Sequence, residues 1–155
     1  MTPGITAARQ AGIDHRVHAY RHDPASESYG AEAAEKLGVP AARVFKTLVV
    51  RLDNHEFAVG VIPVSSMLSL KHIATVVGAK RAVMAAKPDV KRLTGYVIGG
   101  VSPLGQKKRL RTIVDASADG CSTIYVSAGR RGLEIELRPH DLKRLTGGIF
   151  ANIVQ

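Results

Sequence analysis

Glycine decides where this chain can be helical. Four stretches with helical spacing each run into one, at Gly12, Gly38, Gly78 and Gly95. Glycine takes the left-handed backbone that ends a helix without steric cost. Thr2 and Pro3 suit the start of the first helix, with Ile5, Ala8 and Ala11 as its stripe. Residues 28–37 give a second, with Ala33, Ala34 and Leu37 inward. Ser69 caps a third, which carries Leu70, Ile73, Ala74 and Val77. Residues 88–94 give a short fourth, and Pro139 opens a last one with Leu142 and Leu145.

Strand patterns fill the gaps. Residues 13–20 alternate, with His15, Val17 and Ala19 on one face and Arg16, His18 and Tyr20 on the other. Residues 44–52 place Val44, Lys46, Leu48, Val50 and Leu52 on one face, and Phe45, Thr47, Val49 and Arg51 on the other. A turn at Asp53-Asn54-His55 leads to a mostly apolar strand at 56–64 that Pro63 interrupts. Ala82-Val83-Met84, residues 123–127 and residues 133–137 are further strands, the last two joined by a glycine-rich turn at 128–132. Strands joined by hairpins, with helices intervening irregularly, predict an α+β fold with a mixed, curved, barrel-like sheet surrounded by helices. The missing βαβ alternation argues against a Rossmann fold. No internal repeat and no long linker stands out, so residues 1–155 are expected to form one domain.

Charge narrows the partners. Lys and Arg number 22 against 13 Asp and Glu, a net +9. Residues 57–114 hold ten of the cations and a single acid, Asp89, which points to a polyanion and most simply to nucleic acid. Aromatic residues are only 5% of the chain and Trp is absent, so a stacking platform for unpaired bases is not expected. No apolar run reaches the ~18 residues of a membrane span. The N-terminus lacks an apolar signal core, which places the protein in the cytoplasm. A single cysteine, Cys121, rules out an internal disulfide and a cysteine-cluster zinc site.

The stretch 96–115 carries the strongest chemistry. An apolar run, Tyr96-Val97-Ile98, reads as a strand ending in Gly99-Gly100; a turn with Pro103 and Gly105 follows, then Lys107, Lys108, Arg109 and Arg111, then a second apolar run. Adjacent glycines let backbone N–H groups approach a ligand closely. The neighbouring cations suit an anion. An ordinary hairpin with a solvated basic turn fits the same residues.

Lys46 stands on an otherwise aliphatic strand face. Desolvating an unpaired ammonium costs several kcal/mol. It therefore either lines a polar pocket or snorkels to water from its place near the strand start. A pocket ammonium would bind phosphate or polarise an ester carbonyl. Nucleophile motifs are lacking. Ser65-Ser66 sits in no G-x-S-x-G elbow, and Ser102 precedes Pro103 with no histidine nearby in sequence. His15 and His18 fall on opposite strand faces, so no metal site is expected with His22. Residues 105–108 do not complete a phosphate loop.

The run Gly99-Gly100-Val101-Ser102-Pro103-Leu104-Gly105-Gln106-Lys107-Lys108-Arg109 resembles the signature of the YbaK family of aminoacyl-tRNA deacylases, relatives of the editing domain of bacterial prolyl-tRNA synthetase. The likeness extends to residues 20–24, to Val44-Phe45-Lys46-Thr47-Leu48, and to residues 124–127 with 129–132. The resemblance implies a free-standing enzyme that removes the amino acid from mischarged tRNA, chiefly cysteine from Cys-tRNA(Pro), and needs no cofactor. Its partners would be the 3′-terminal aminoacyl-adenosine of tRNA and, as a candidate, prolyl-tRNA synthetase. It assigns catalysis to Lys46, Tyr20, Gly99 and Gly100, and substrate binding to Thr47, Ser102, Ser127 and Glu134, the last standing where aspartate is familiar. The basic run itself makes Lys107, Lys108 and Arg109 the expected tRNA contacts. In that family the substrate's own thiol attacks its ester, leaving a cyclic thioester and free tRNA. A water-using deacylase of Ala-tRNA(Pro) or another small aminoacyl-tRNA, and a non-catalytic tRNA-binding module, fit the same composition.

Overall fold

The computed structural model describes residues 1–26 and 28–155. In chain order the elements are α1 (Pro3–Ala11), β1 (His15–Ala19), α2 (Tyr29–Leu37), β2 (Phe45–Leu52), β3 (Phe57–Pro63), α3 (Leu70–Val77), β4 (Ala82–Met84), α4 (Lys87–Thr94), β5 (Arg111–Asp115), β6 (Ile124–Arg130), β7 (Leu133–Leu137), α5 (Pro139–Thr146) and β8 (Ile149–Ala151). Short 3₁₀ turns occupy Ala41–Arg43 and Ala116–Gly120.

The helix boundaries follow the caps. The Thr2 hydroxyl accepts the Ile5 N–H, the Ser69 hydroxyl accepts the His72 N–H, and every helix closes on a left-handed glycine. Ala11 is exposed, so α1 buries Gly4, Ile5 and Ala8 instead of the expected stripe. One local design occurs twice, contrary to the expectation of no repeat. Asp-Val/Leu-Lys-Arg-Leu-Thr-Gly stands at 89–95 and at 141–147. In both copies the Asp pairs with the Arg three residues on, at 2.9 and 3.2 Å, and the Thr hydroxyl donates to the carbonyl four residues back.

Two sheets form. One has the order β1-β7-β6 and is antiparallel throughout; the other has the order β4-β2-β3-β5-β8. Within the second, β2 pairs antiparallel with β3 and β4, while β3–β5 and β5–β8 are parallel. The sheets meet through a bridge between Val44 and Tyr125. This is the expected mixed α+β class, and the sheets do not close into a barrel.

β2 is the partition of the molecule. Its odd residues Phe45 and Val49 join a core with Val59, Val61, Val126, Ile135 and Leu137. Its even residues Val50 and Leu52 join a second core with Ile62, Ile73, Ala74 and Ile153. Burying both faces of one strand is what its near-continuous apolar run encodes.

The expected strand over 96–98 does not form. Residues 97–100 make a turn about Ile98 and Gly99, closed by the Gly100 N–H donating to Val97 O at 2.9 Å. The Tyr96 ring is buried here instead, its hydroxyl donating to Leu104 O at 2.7 Å. The glycine pair therefore lies within the long loop between α4 and β5, not at the end of a hairpin strand.

Candidate active site

A cavity of about 320 Å³ opens where β2 meets the start of α2, β4, the loop 98–101 and the β6–β7 hairpin. It brings Lys46, Thr47, Tyr20, Ser127, Glu134 and Gly99 to one wall or another. Residues far apart in sequence thus share one hollow, and Lys46 and Gly99 face it together.

Lys46 is half-buried, and desolvation lowers the pKa of its ammonium. An ammonium short of water is disposed to pair with an incoming anion. Glu134 sits on β7 opposite Ser127 in the β6–β7 ladder. Burial pushes its carboxyl up to about 8, so near neutral pH it is largely protonated and able to donate a hydrogen bond. Tyr20 follows β1 and its backbone N–H donates to Gly132 O at 2.9 Å. Its phenol is raised, first by burial and then by the nearby Glu134 carboxyl. The Ser127 hydroxyl accepts the Gly129 N–H at 3.1 Å. Thr47 is different: its buried hydroxyl has no hydrogen-bond partner among the described residues.

Gly99 has a φ of +95° and faces the cavity. Gly100 does not line it and its N–H is engaged with Val97, which corrects the expectation of two free glycine amides. Ser102 is also misassigned. It is fully buried, its hydroxyl accepts the Leu104 N–H at 3.2 Å, and it shapes the 102–105 turn outside the cavity. Lys107, Lys108 and Arg109 lie outside it too. The Lys107 N–H donates to Thr94 O at 3.2 Å and the Lys108 N–H to Leu93 O at 2.9 Å, so the basic turn is stitched to the end of α4. Lys108 and Arg109 border a separate hollow of about 170 Å³ that Ala7 and Leu145 help to close.

Three rim residues were not foreseen. Arg130 and Arg131, in what reads as a plain glycine-rich turn, and Tyr29 at the start of α2 all line the mouth. The Arg131 guanidinium lies 3.4 Å from the centre of the Tyr29 ring and bonds its hydroxyl. Behind Tyr29 the Glu32 carboxylate holds His22 at 2.6 Å and the Asp23 N–H at 2.9 Å, which fixes the loop 21–23 against α2. The only sequence signal for this rim was two arginines between two glycines.

The model of the aminoacyl-tRNA editing domain matches residues 22–145. The chain belongs to that family. It is 43% identical over 120 residues to EbsC of Enterococcus faecalis, which carries the provisional name Cys-tRNA(Pro)/Cys-tRNA(Cys) deacylase; the match covers 77% of this chain and 73% of EbsC. It is 25% identical over 120 residues to proline–tRNA ligase of Trichlorobacter lovleyi, covering 77% of this chain but 21% of the ligase. Among solved structures it superposes on a protein described provisionally as a trans-editing enzyme for prolyl tRNA synthetase, with a TM-score of 0.87 and 25% identity, over 99% of this chain and 95% of that one.

Proposed function

We propose that residues 1–155 form one editing domain that deacylates mischarged aminoacyl-tRNA, above all Cys-tRNA(Pro). The observation that carries this reading is the cavity: an ammonium, a glycine backbone and several hydroxyls converge on it, and its described lining contains no histidine or cysteine. Glu134, the carboxyl opposite Ser127, keeps its proton near neutral pH, so no hydroxyl of the lining has an ionised base beside it and each is a poor nucleophile. The attacking atom is therefore the substrate's own thiol. It adds to the ester carbonyl, the carbon–oxygen bond to the tRNA ribose breaks, and the released oxygen takes up a proton. The products are a cyclic cysteine thioester and free tRNA. The protein contributes a folded-back substrate conformation, which is catalysis by proximity. The Gly99 backbone is suited to the developing oxyanion. Lys46, with Arg130 and Arg131 at the mouth, grips the phosphate of the terminal nucleotide.

The chemistry explains why a second site is useful. A synthetase pocket separates near-isosteric small side chains weakly. A site that uses the substrate's thiol selects by reactivity instead, and prolyl-tRNA, lacking a thiol, survives. The similarity to a proline–tRNA ligase supports prolyl-tRNA synthetase as the protein partner, and a cytoplasmic location follows from that role. No helix of the described residues is long and apolar enough to cross a membrane.

Purified protein assayed against Cys-, Ser- and Ala-tRNA(Pro) tests this. Cys-tRNA is expected to be cleaved far faster than Ser-tRNA, and Lys46→Ala to abolish turnover with an unchanged circular dichroism spectrum. Equal rates for Cys and Ser would replace the thiol by water; normal turnover by the variant would remove Lys46 from the reaction.

A further inference from the structure

The ladder phase of β2 leaves one residue of that strand open to the cavity. The Val64 N–H donates to Val44 O and the Leu52 N–H to Glu56 O, both at 2.8 Å. These bonds fix the alternation: even-numbered residues of β2 exchange hydrogen bonds with β3, and odd-numbered ones turn theirs to the opposite edge. On that edge β4 registers with residues 50–52, and the Ala85 N–H reaches Val49 O at 3.0 Å. At the other end the bridge to β6 lies at Val44. Thr47 falls between the two, with no strand registered against it on that edge. The cavity lies against this gap, since it touches every residue from Val44 to Val49 together with Ala85 and Ser127. Thr47, 9% exposed, is also the residue whose buried hydroxyl has no partner among the described residues.

An open residue on a strand edge offers one N–H and one C=O, side by side. An aminoacyl ester offers the matching pair, an amino N–H and a carbonyl oxygen on adjacent atoms. We propose that the aminoacyl group docks on Thr47 as one further strand residue, its carbonyl accepting the Thr47 N–H and its amino group donating to Thr47 O. This is strand addition reduced to a single residue. Directly opposed residues place their side chains on the same face of a sheet. The substrate side chain then lies beside the Thr47 hydroxyl, which supplies that hydroxyl's missing partner in the thiol. The pairing also swings the thiol to a fixed side of the ester, the orientation that intramolecular attack needs.

The inference rests on the deacylase reading and specifies which atoms hold its substrate. Its test uses uncleavable cysteinyl-adenosine with an amide at the 3′ position, and the same compound lacking the α-amino group. Binding is measured by calorimetry to the wild type, Thr47→Val and Thr47→Ser. Loss of the amino group is expected to weaken binding to the wild type by about 10-fold, the order of one hydrogen bond in a dry site. Thr47→Val is expected to weaken the cysteinyl compound about 5-fold or more with no fall in Tm, because the hydroxyl it removes is unpaired. Thr47→Ser restores binding. Equal affinity for both compounds, failure of the wild type to bind the cysteinyl compound, or wild-type affinity in Thr47→Val overturns the pairing. If such a result accompanies a wild type that cleaves Cys-tRNA, the deacylase reading stands and the docking mode falls. If the wild type cleaves no mischarged tRNA, the reading itself falls.

Discussion

The Tyr29 ring closes on Gly99 so tightly that a Cβ on the glycine would stand 2.5 Å from the ring's Cε2. The same glycine has a φ of +95°, outside the range of ordinary L-residues. Two independent constraints therefore hold this position to glycine. Gly99→Ala is expected to cost about 1–3 kcal/mol of stability and to lower kcat/KM at least ~10-fold. Adding Tyr29→Ala relieves the clash but not the backbone strain, so the double variant recovers only part of the Tm. Denaturation curves of both variants, with single-turnover deacylation, check this.

Glu134 makes stability depend on pH in an unusual direction. Its folded pKa of about 8 lies above the ordinary value of 4.5. Below both values the group is protonated folded and unfolded and contributes nothing. As pH rises through 4.5 the unfolded chain ionises while the folded protein keeps its proton, so stability falls until about pH 8 and then levels off. Glu134→Gln, which cannot ionise, is expected to be more stable than the wild type at pH 8 by an amount on the order of 3 kcal/mol. The two should converge near pH 4. Urea melts at the two pH values measure the difference. A wild type whose advantage grows with pH would show that the carboxylate is paired.

The basic turn gives a third expectation. Lys107 and Lys108 are exposed and have no ion-pair partner among the described residues, and their loop is tied to the end of α4, whose Val90 lines the cavity. If they contact tRNA phosphates, Lys107→Gln with Lys108→Gln should lower the slope of log K against log salt by about 2. Arg109 is folded toward α5, where a Cβ on Gly147 would stand 2.6 Å from one of its guanidinium nitrogens, so Arg109→Gln should change the slope less. Filter binding between about 50 and 200 mM salt reads both.

The sequence signals that were legible are the ones written in short-range chemistry. The glycine stops and the Ser69 cap announce the helices because they act within one turn of backbone. The two faces of β2 announce two cores because alternation is local. What stayed hidden depends on partners distant in the chain. β8 is three residues long and exists only through its parallel pairing with β5. Tyr96-Val97-Ile98 has strand composition, but Tyr96 is claimed by Leu104, and Val97 and Ile98 are left largely exposed. Ser102 carries a recognisable motif, yet its hydroxyl is spent on its own turn. The family resemblance assigned roles to Lys46, Gly99, Tyr20, Ser127 and Glu134, and all five line one cavity. Arg131 was invisible because its importance comes from the Tyr29 ring beneath it, 102 residues away.

On β2 the ammonium of Lys46 and the hydroxyl of Thr47 are consecutive, so the pleat sends them to opposite sides of one strand while both still border the cavity at its edge. Inserting or deleting one residue ahead of Lys46 would exchange their directions and bury a cation where a neutral group now sits. The spacing from the Val44 bridge to Thr47 is thus a reading frame for the site and for both cores, and chains that keep every functional residue but lose that count should lose stability along with activity.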